Sequence, residues 1–393
     1  MMLRTLEAMA IERGARVLLR ADCDVAIREG IVEEGFRIRA NLDTIRFLLE
    51  RGARVRIISH IGRPHGKQVA DLSLRPVGEY LARLLRRKVI FVSDPFSPES
   101  YREYRDSPEV LLLENLRFWS GEEANNRAFA RDLSRLGDVF VNEAFANAHR
   151  PHASVVALPR LLPSFAGLHF AKEVVTLSRL FENPARPFVA VLGGAKLETK
   201  IPLIRRFLRY ADRVLIGGAL ANTLIAGRGI SVGKSLVDTS QAGIFVRGLT
   251  KLFLPSDVIV SPALREGLSG SVRSIHEISV GEYVADIGPE TQRHFAALLK
   301  GAKTVVWNGP LGYAEASAFA VGTKFIARAI TRSRAFTVVG GGDTVAALAK
   351  YKLLRGFSYV STAGGAMLAF LAGERLPGVE ALQNQKSKGK NQN

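Results

Sequence analysis

Lys196 and Lys200 stand four residues apart, just after the Gly193-Gly194 pair that ends the apolar run "FVAVL". At that spacing they share one face of a helix start, where two cations oppose the helix dipole. A cost accepted twice beside a Gly-Gly turn points to a bound polyanion rather than to two solvated lysines. Glycines also end other apolar runs, at Gly217-Gly218, Gly309, Gly340-Gly341-Gly342 and Gly364-Gly365. Glycine lets backbone amides approach a phosphate, and a following helix adds its positive end. So many such turns in one half of the chain favour a nucleotide over packing alone. Asp343 closes "VVGGGD" where an apolar run gives way to a helical pattern. Its position suits two roles, a helix N-cap or a Mg²⁺ ligand working together with nucleotide phosphates.

The other half carries a different set. Arg20-Ala-Asp22, Arg37, His60 and Arg63 in "SHIGRP", Arg117 in "ENLRF", and His149 and Arg150 in "NAHRPHAS" lie at or just past the ends of apolar runs. Arginine forks bind carboxylate or phosphate bidentately, so several converging imply a small, highly anionic substrate. Three other chemistries are set aside. "HRPH" lacks an acidic cluster beside it, and Pro151 disfavours a helix there, which argues against a metal site. "GRGISVGKS", Gly227 to Ser235, imitates a phosphate-binding loop but has Arg228 where that motif needs glycine, and no β-run leads directly into it. No G-x-S-x-G elbow occurs.

These residues need elements to hold them. "ARVLLRADC", "RVRIISHI", "KVIFVSD", "EVLLLENL" and "DVFVNEAF" read as strands, with "RANLDTIRFLLERG" and "RPVGEYLARLLRRK" as helices between them. The second half repeats the alternation with "FVAVLGG", "RVLIGGA", "DVIVSPA", "TVVWNGP", "AFTVVGGGD" and "FSYVSTAGGA", and with "IPLIRRFLRYA" and "GTKFIARAITRS" as helices. Near-continuous apolar strands alternating with helices mean buried parallel sheets. The predicted fold is α/β, with two lobes, each a doubly wound, mostly parallel sheet flanked by helices. "GLHFAKEVVTLSRLFENP" is the helix expected to join them. The boundaries are residues 1–165 for the anion-binding domain, 166–186 for the interdomain helix, 187–370 for the nucleotide-binding domain, and 371–393 for a C-terminal segment. Its polar end from Gln383 lacks apolar periodicity and is expected to be disordered.

Composition bounds the rest. A chain of 393 residues fits two domains, and 47% hydrophobic residues fill two cores. Cys23 is the single cysteine, so an intramolecular disulfide framework is excluded. No apolar run is long enough to span a membrane, and no signal-type segment opens the chain, which places it in the cytoplasm. The net charge of +18 raises the local concentration of anions without choosing among them. No zinc-finger spacing or aromatic-basic nucleic-acid motif accompanies it.

The motifs quoted above, with "LLRADCDV", "LLLENLRFWSGEEANN", "LGGAKLETKI", "IGGALANT", "DIGPET", "TVVWNGPLGYAE", "GGGDTVAA" and "STAGGAMLAFLAGERLPGVEAL", resemble the phosphoglycerate kinase family in order over about residues 15 to 382. The resemblance implies that 3-phosphoglycerate or 1,3-bisphosphoglycerate binds through Asp22, Asp24, Arg37, His60, Arg63, Arg117 and Arg150. It implies that Mg-ATP or Mg-ADP binds through Gly193, Gly194, Lys196, Lys200, Gly217, Asn308, Glu315, Gly340, Gly341, Gly342, Asp343 and Thr344, with Glu315 on the ribose and Asp343 on the metal. Arg37, Lys196, Lys200, Gly364 and Gly365 would serve the transferring phosphoryl group. It further implies a monomer whose lobes close about a hinge on binding. The chain departs from the family pattern at Asp24 (usually Asn), Ala26 (usually Pro), Thr199 (usually Asp), Tyr359 (usually His) and Ala363 (usually Gly). A second reading is a catalytically weak, kinase-derived protein whose basic surface engages nucleic acid.

Overall fold

The computed structural model describes residues 3–195, 197–238 and 250–383. The chain divides into two units, Met1–Val175 with Arg375–Asn393, and Thr176–Glu374. Lys196 and the Thr199 side chain lie outside the described residues, as does the tail from residue 384 onward.

The first unit is built on a parallel sheet of six strands. In spatial order they are β5 (Val89–Val92), β6 (Val110–Leu113), β4 (Arg54–Ile58), β1 (Arg16–Arg20), β7 (Val139–Asn142) and β8 (Ser164–Ala166). Side chains alternate across the sheet. Val17 and Leu19 of β1 therefore enter one core with Ile57, Leu112 and Val141, while Leu18 enters the opposite core with Ile58, Leu111 and Phe140. The Leu42–Glu50 and Arg75–Leu85 helices close the first core through Ile45, Leu48, Val77 and Leu81. The Arg127–Ser134 helix closes the second through Ala130 and Leu133. A short hairpin, β2 (Ile27–Arg28) with β3 (Ile31–Val32), follows β1. Cys23 is buried, and it lies past the end of β1 rather than within the strand expected over "ARVLLRADC".

The second unit repeats the architecture with β11 (Leu252–Phe253), β10 (Arg213–Ile216), β9 (Phe188–Leu192), β15 (Thr304–Asn308), β16 (Phe336–Gly340) and β17 (Tyr359–Val360) in spatial order, all parallel. One expected strand sits elsewhere. "DVIVS" is β12 (Asp257–Ser261), and it pairs antiparallel with β13 (Ser271–Ser274) and β14 (Tyr283–Ile287) in a separate three-stranded sheet. Short connections allow hairpin pairing, whereas a parallel neighbour needs a crossover of a dozen or more residues.

The helix Leu168–Glu182 begins in the first unit and ends in the second. Its first turn is fixed within the first unit. The Thr44 hydroxyl accepts from the Leu168 N–H at 2.9 Å, and the Glu143 carboxylate accepts from the N–H groups of His169 and Phe170 at 3.0 and 3.1 Å. A carboxylate at a helix start satisfies orphan amides and the dipole together. Toward its C-terminus the chain re-enters the first unit at Arg375. There the Gly378 N–H donates to the Ala148 carbonyl at 2.8 Å, and the Arg4 N–H donates to Leu382 at 3.1 Å. Among the described residues no helix is long and apolar enough to cross a membrane.

Candidate active site

In open parallel sheets ligands bind beyond the carboxyl ends of the strands, and both residue sets lie there. In the first unit β1 runs into Asp22, β4 into His60 and β6 into the turn carrying Arg117. Asn41, which the sequence reading passed over, ties two of these parts together. Its Oδ1 accepts from the Asp22 N–H at 3.0 Å, and its Nδ2 donates to the carbonyls of Asp22 and Arg37, each at 2.9 Å. This fixes the short helix Phe36–Ala40 and aims Arg37 at the strand ends. Arg37 Nη1 lies 3.8 Å from Asp22 Oδ1 and 3.8 Å from Asp24 Oδ2.

Asp24 stands where the family usually has Asn, and the structure shows how its charge is met. Oδ1 accepts from the Gly62 N–H at 3.0 Å, while Oδ2 faces Arg37 and lies 3.9 Å from His60 Nε2. Burial raises the Asp22 carboxyl pKa, and Arg37 opposes that rise.

Arg117 is 2% exposed, and its Nη1 donates to the Gly62 carbonyl at 2.5 Å. Its Nε and Nη2 are buried without a hydrogen-bond partner, although Glu123 Oε1 is 3.6 Å from Nε. Burial, with Arg20 and Arg150 nearby, brings its pKa down to about 10. Leaving buried N–H donors unpaired costs free energy. His149 Nδ1 and His152 Nδ1 are orphaned in the same way, and burial together with the neighbouring arginines holds both imidazoles neutral, His152 at about 3. Arg150 is half-buried and Arg63 exposed. The result is a pocket wall of guanidinium and imidazole groups with donors to spare. An anion rich in oxygens satisfies it.

Several glycines of the second unit also answer to packing. A Cβ on Gly193 would overlap the carbonyl oxygens of Pro310 and Gly309, one on Gly309 would overlap the Gly193 carbonyl, and one on Gly340 would overlap the Met367 sulfur. Gly217 is similarly closed, by Leu311. The β9 and β15 turns thus cross backbone against backbone. By contrast, Cβ atoms on Gly342 and Gly364 would meet nothing within 4 Å, so these two positions open onto space that a ligand can use. Gly364 takes a φ of 51°. Ala363 keeps negative φ, so the departure from glycine there causes no backbone strain.

Lys200 is not a surface lysine: it is buried, with Nζ donating to the carbonyls of Gly193 and, at 3.3 Å, Asn308. Burial brings its pKa down to about 8, and Asp343 partly offsets that. Asn308 Nδ2 donates to the Gly340 carbonyl at 2.9 Å, and the Thr344 hydroxyl accepts from the Gly309 N–H at 2.6 Å. Both residues therefore brace the turns.

Asp343 is exposed in the first turn of the helix Gly342–Lys350, whose N-cap is Gly341, so it does not cap that helix through its side chain. Asp343 and the exposed Glu315 border a cleft of the second unit. Gly194, Asn222, Val258, Leu264, Val284 and Tyr313 line it further. Asp286, also missed, underlies the cleft and accepts from the N–H groups of Ile287 and Gly322 at 2.9 and 2.6 Å. Burial raises its pKa to about 7. Among the described residues no group of three or more metal-ligating side chains occurs. An exposed carboxylate in the first turn of a helix at the cleft edge suits Mg²⁺, which usually keeps waters and takes phosphate oxygens as its other ligands. "GRGISVGKS" follows the helix Gly218–Ala226 rather than a strand, which argues against the phosphate-loop reading of it.

The comparisons with known proteins agree among themselves. The family model described as phosphoglycerate kinase matches residues 8–374. The chain is 45% identical over 376 residues to the phosphoglycerate kinase of Moorella thermoacetica, covering 93% of this chain and 96% of the relative. It is 43% identical over 392 residues to that of Thermomicrobium roseum, covering 98% and 100%. Among solved structures, phosphoglycerate kinase from Coxiella burnetii superposes with a TM-score of 0.85 at 38% identity, covering 97% of this chain and 98% of that one. The enzyme from Pyrococcus horikoshii gives 0.85 at 31% identity with the same coverage.

Proposed function

Since the chain belongs to the phosphoglycerate kinase family, we propose that it catalyses reversible phosphoryl transfer between 1,3-bisphosphoglycerate and ADP, giving 3-phosphoglycerate and ATP. The observation that carries this reading is the buried Arg117, whose Nε and Nη2 lack hydrogen-bond partners in a wall of cations at the strand ends.

In this reading Asp22, Asp24, Arg37, His60, Arg63, Arg117 and Arg150 hold the phosphoglycerate. The turns at Gly193, Gly194, Gly217 and Gly340 to Gly342, with Lys200, Asn308 and Thr344 bracing them, shape the nucleotide phosphate site, and Glu315 meets the ribose. Arg37, Lys196, Gly364 and Gly365 serve the transferring group. An acyl phosphate loses its phosphoryl group to leave a carboxylate, a leaving group that needs no general acid. Alignment and charge neutralisation therefore supply most of the catalysis, and water must be excluded to prevent hydrolysis. Asp343 would hold Mg²⁺, which when bound neutralises phosphate charge. The same reading takes residues 166–186 as the hinge about which the lobes close on binding. A cytoplasmic monomer belongs to the same reading.

Trapping tests the reaction directly. ATP, 3-phosphoglycerate and Mg²⁺ with hydroxylamine present should yield the hydroxamate of the acyl phosphate. Its absence, in folded protein, would defeat the proposal.

A further inference from the structure

Arg20 ends β1 inside the protein with no exposed surface. Three of its donors are committed: Nε to Ser154 Oγ at 2.9 Å, Nη1 to the Ala21 carbonyl at 2.7 Å, and Nη2 to His60 Nδ1 at 3.0 Å. Ser154 in turn donates its hydroxyl to Glu122 Oε1 at 2.5 Å and its N–H to Oε2 at 2.9 Å. Glu122 is also fully buried. A carboxylate, a hydroxyl, a guanidinium and an imidazole thus stand in series, drawn from segments more than a hundred residues apart.

The chemistry of the last link is one-directional. A guanidinium has five N–H donors and no acceptor. His60 Nδ1 must therefore carry a lone pair, and the ring proton sits on Nε2. That nitrogen is the one turned toward Asp24.

We propose that Arg20 is a positioning residue that holds His60 as its neutral Nε2–H tautomer, so that the ring offers one fixed donor to an oxygen of the phosphoglycerate. This rests on the reading of His60 as a substrate contact given under the proposed function. Protonation would set an Nδ1–H against the guanidinium. Arg20, Arg117 and Arg150 repel a second charge there, while Asp24 Oδ2 opposes them from 3.9 Å. Burial, the largest cause, and these cations keep the His60 pKa well below the ordinary value. Glu122 balances the Arg20 charge from the far side of Ser154, with His152 Nδ1 3.9 Å away.

Two-bond ¹H–¹⁵N NMR of the full chain carrying ¹⁵N-histidine reads the tautomer directly, with His60→Gln assigning the signal. The inference expects an Nε2–H pattern that does not change from pH 5.5 to 8. An Nδ1–H pattern, or a ring that titrates in that range, overturns it. In Arg20→Met, His60 should become a tautomer mixture, and KM for 3-phosphoglycerate should rise about tenfold, the order expected for a lost hydrogen bond to a charged group, with KM for ATP little changed. A folded Arg20→Met protein with unchanged tautomer and KM would also overturn it. If that variant does not fold, the wild-type spectrum decides alone. Because the tautomer is read without turnover, an inactive protein with a fixed Nε2–H would defeat the activity proposal and leave the tautomer assignment to Arg20 standing.

Discussion

Lys200 Nζ lies 3.3 Å from the Asn308 carbonyl oxygen, buried where the β9 and β15 turns cross. A cation held by backbone carbonyls orders these turns, and in the proposed reading its charge serves the nucleotide phosphates. Lys200→Met should fold and lose kcat by about a hundredfold or more, as losses of preorganised charge do. A fall of less than threefold, measured in steady state, would remove Lys200 from the chemistry.

The same burial gives a pH signature. The folded Lys200 pKa is near 8, below its ordinary 10.5. Between those values the unfolded chain binds more protons, so this group makes stability rise with pH from about 8 to 10.5. Lys200→Met should flatten that rise in denaturant titrations. An unchanged slope would mean that the amine is solvated.

Asp286 acts with the opposite sign. Its folded pKa is near 7 against an ordinary 3.8, so the folded state binds more protons in that window and its contribution falls as pH rises through it. Asp286→Asn should reduce the loss of thermal stability between pH 5 and 7. Melting curves across that range check it, and an equal or steeper loss in the variant would contradict the assignment.

Arg117 separates stability from binding. Removing a buried guanidinium with two orphaned donors should leave Arg117→Met as stable as the wild type or slightly more so, since replacing buried polar groups by apolar ones is often neutral. KM for 3-phosphoglycerate should rise about a hundredfold, for lost charge-assisted bonds, while KM for ATP stays put. Equal rises in both would mean a structural role only.

The two kinds of glycine give a contrasting pair. Gly309→Ala drives a Cβ into the Gly193 carbonyl and should cost about 1–3 kcal/mol, lowering Tm by several degrees. Gly342→Ala meets open space and should leave Tm almost unchanged while weakening nucleotide binding. Calorimetry on both variants, with nucleotide titrations, decides it.

The parallel sheets were legible because each apolar run stops at a turn residue, and strand ends are where ligands go. What was not legible depended on partners distant in sequence. "DVIVS" has the same apolar pattern as its neighbours, and only pairing with β13 and β14 makes it antiparallel. The packing demand on the glycines at 193 and 309 was hidden because their contact with each other spans more than a hundred residues. Arg20 stood in the quoted "RADC", yet its role depends on Ser154 and His60, which no local spacing reveals. Asn41 carried no signal beyond its place in an amphipathic run.

The central claim is phosphoryl transfer between these two substrates, and Mg-dependent turnover tests it most directly. Purified protein with ATP and 3-phosphoglycerate, coupled to reduction of the acyl phosphate, should turn over with Mg²⁺, stop with EDTA and recover when Mg²⁺ is restored. Folded protein that gives no turnover, or turnover indifferent to EDTA and to Arg117→Met, would contradict the account.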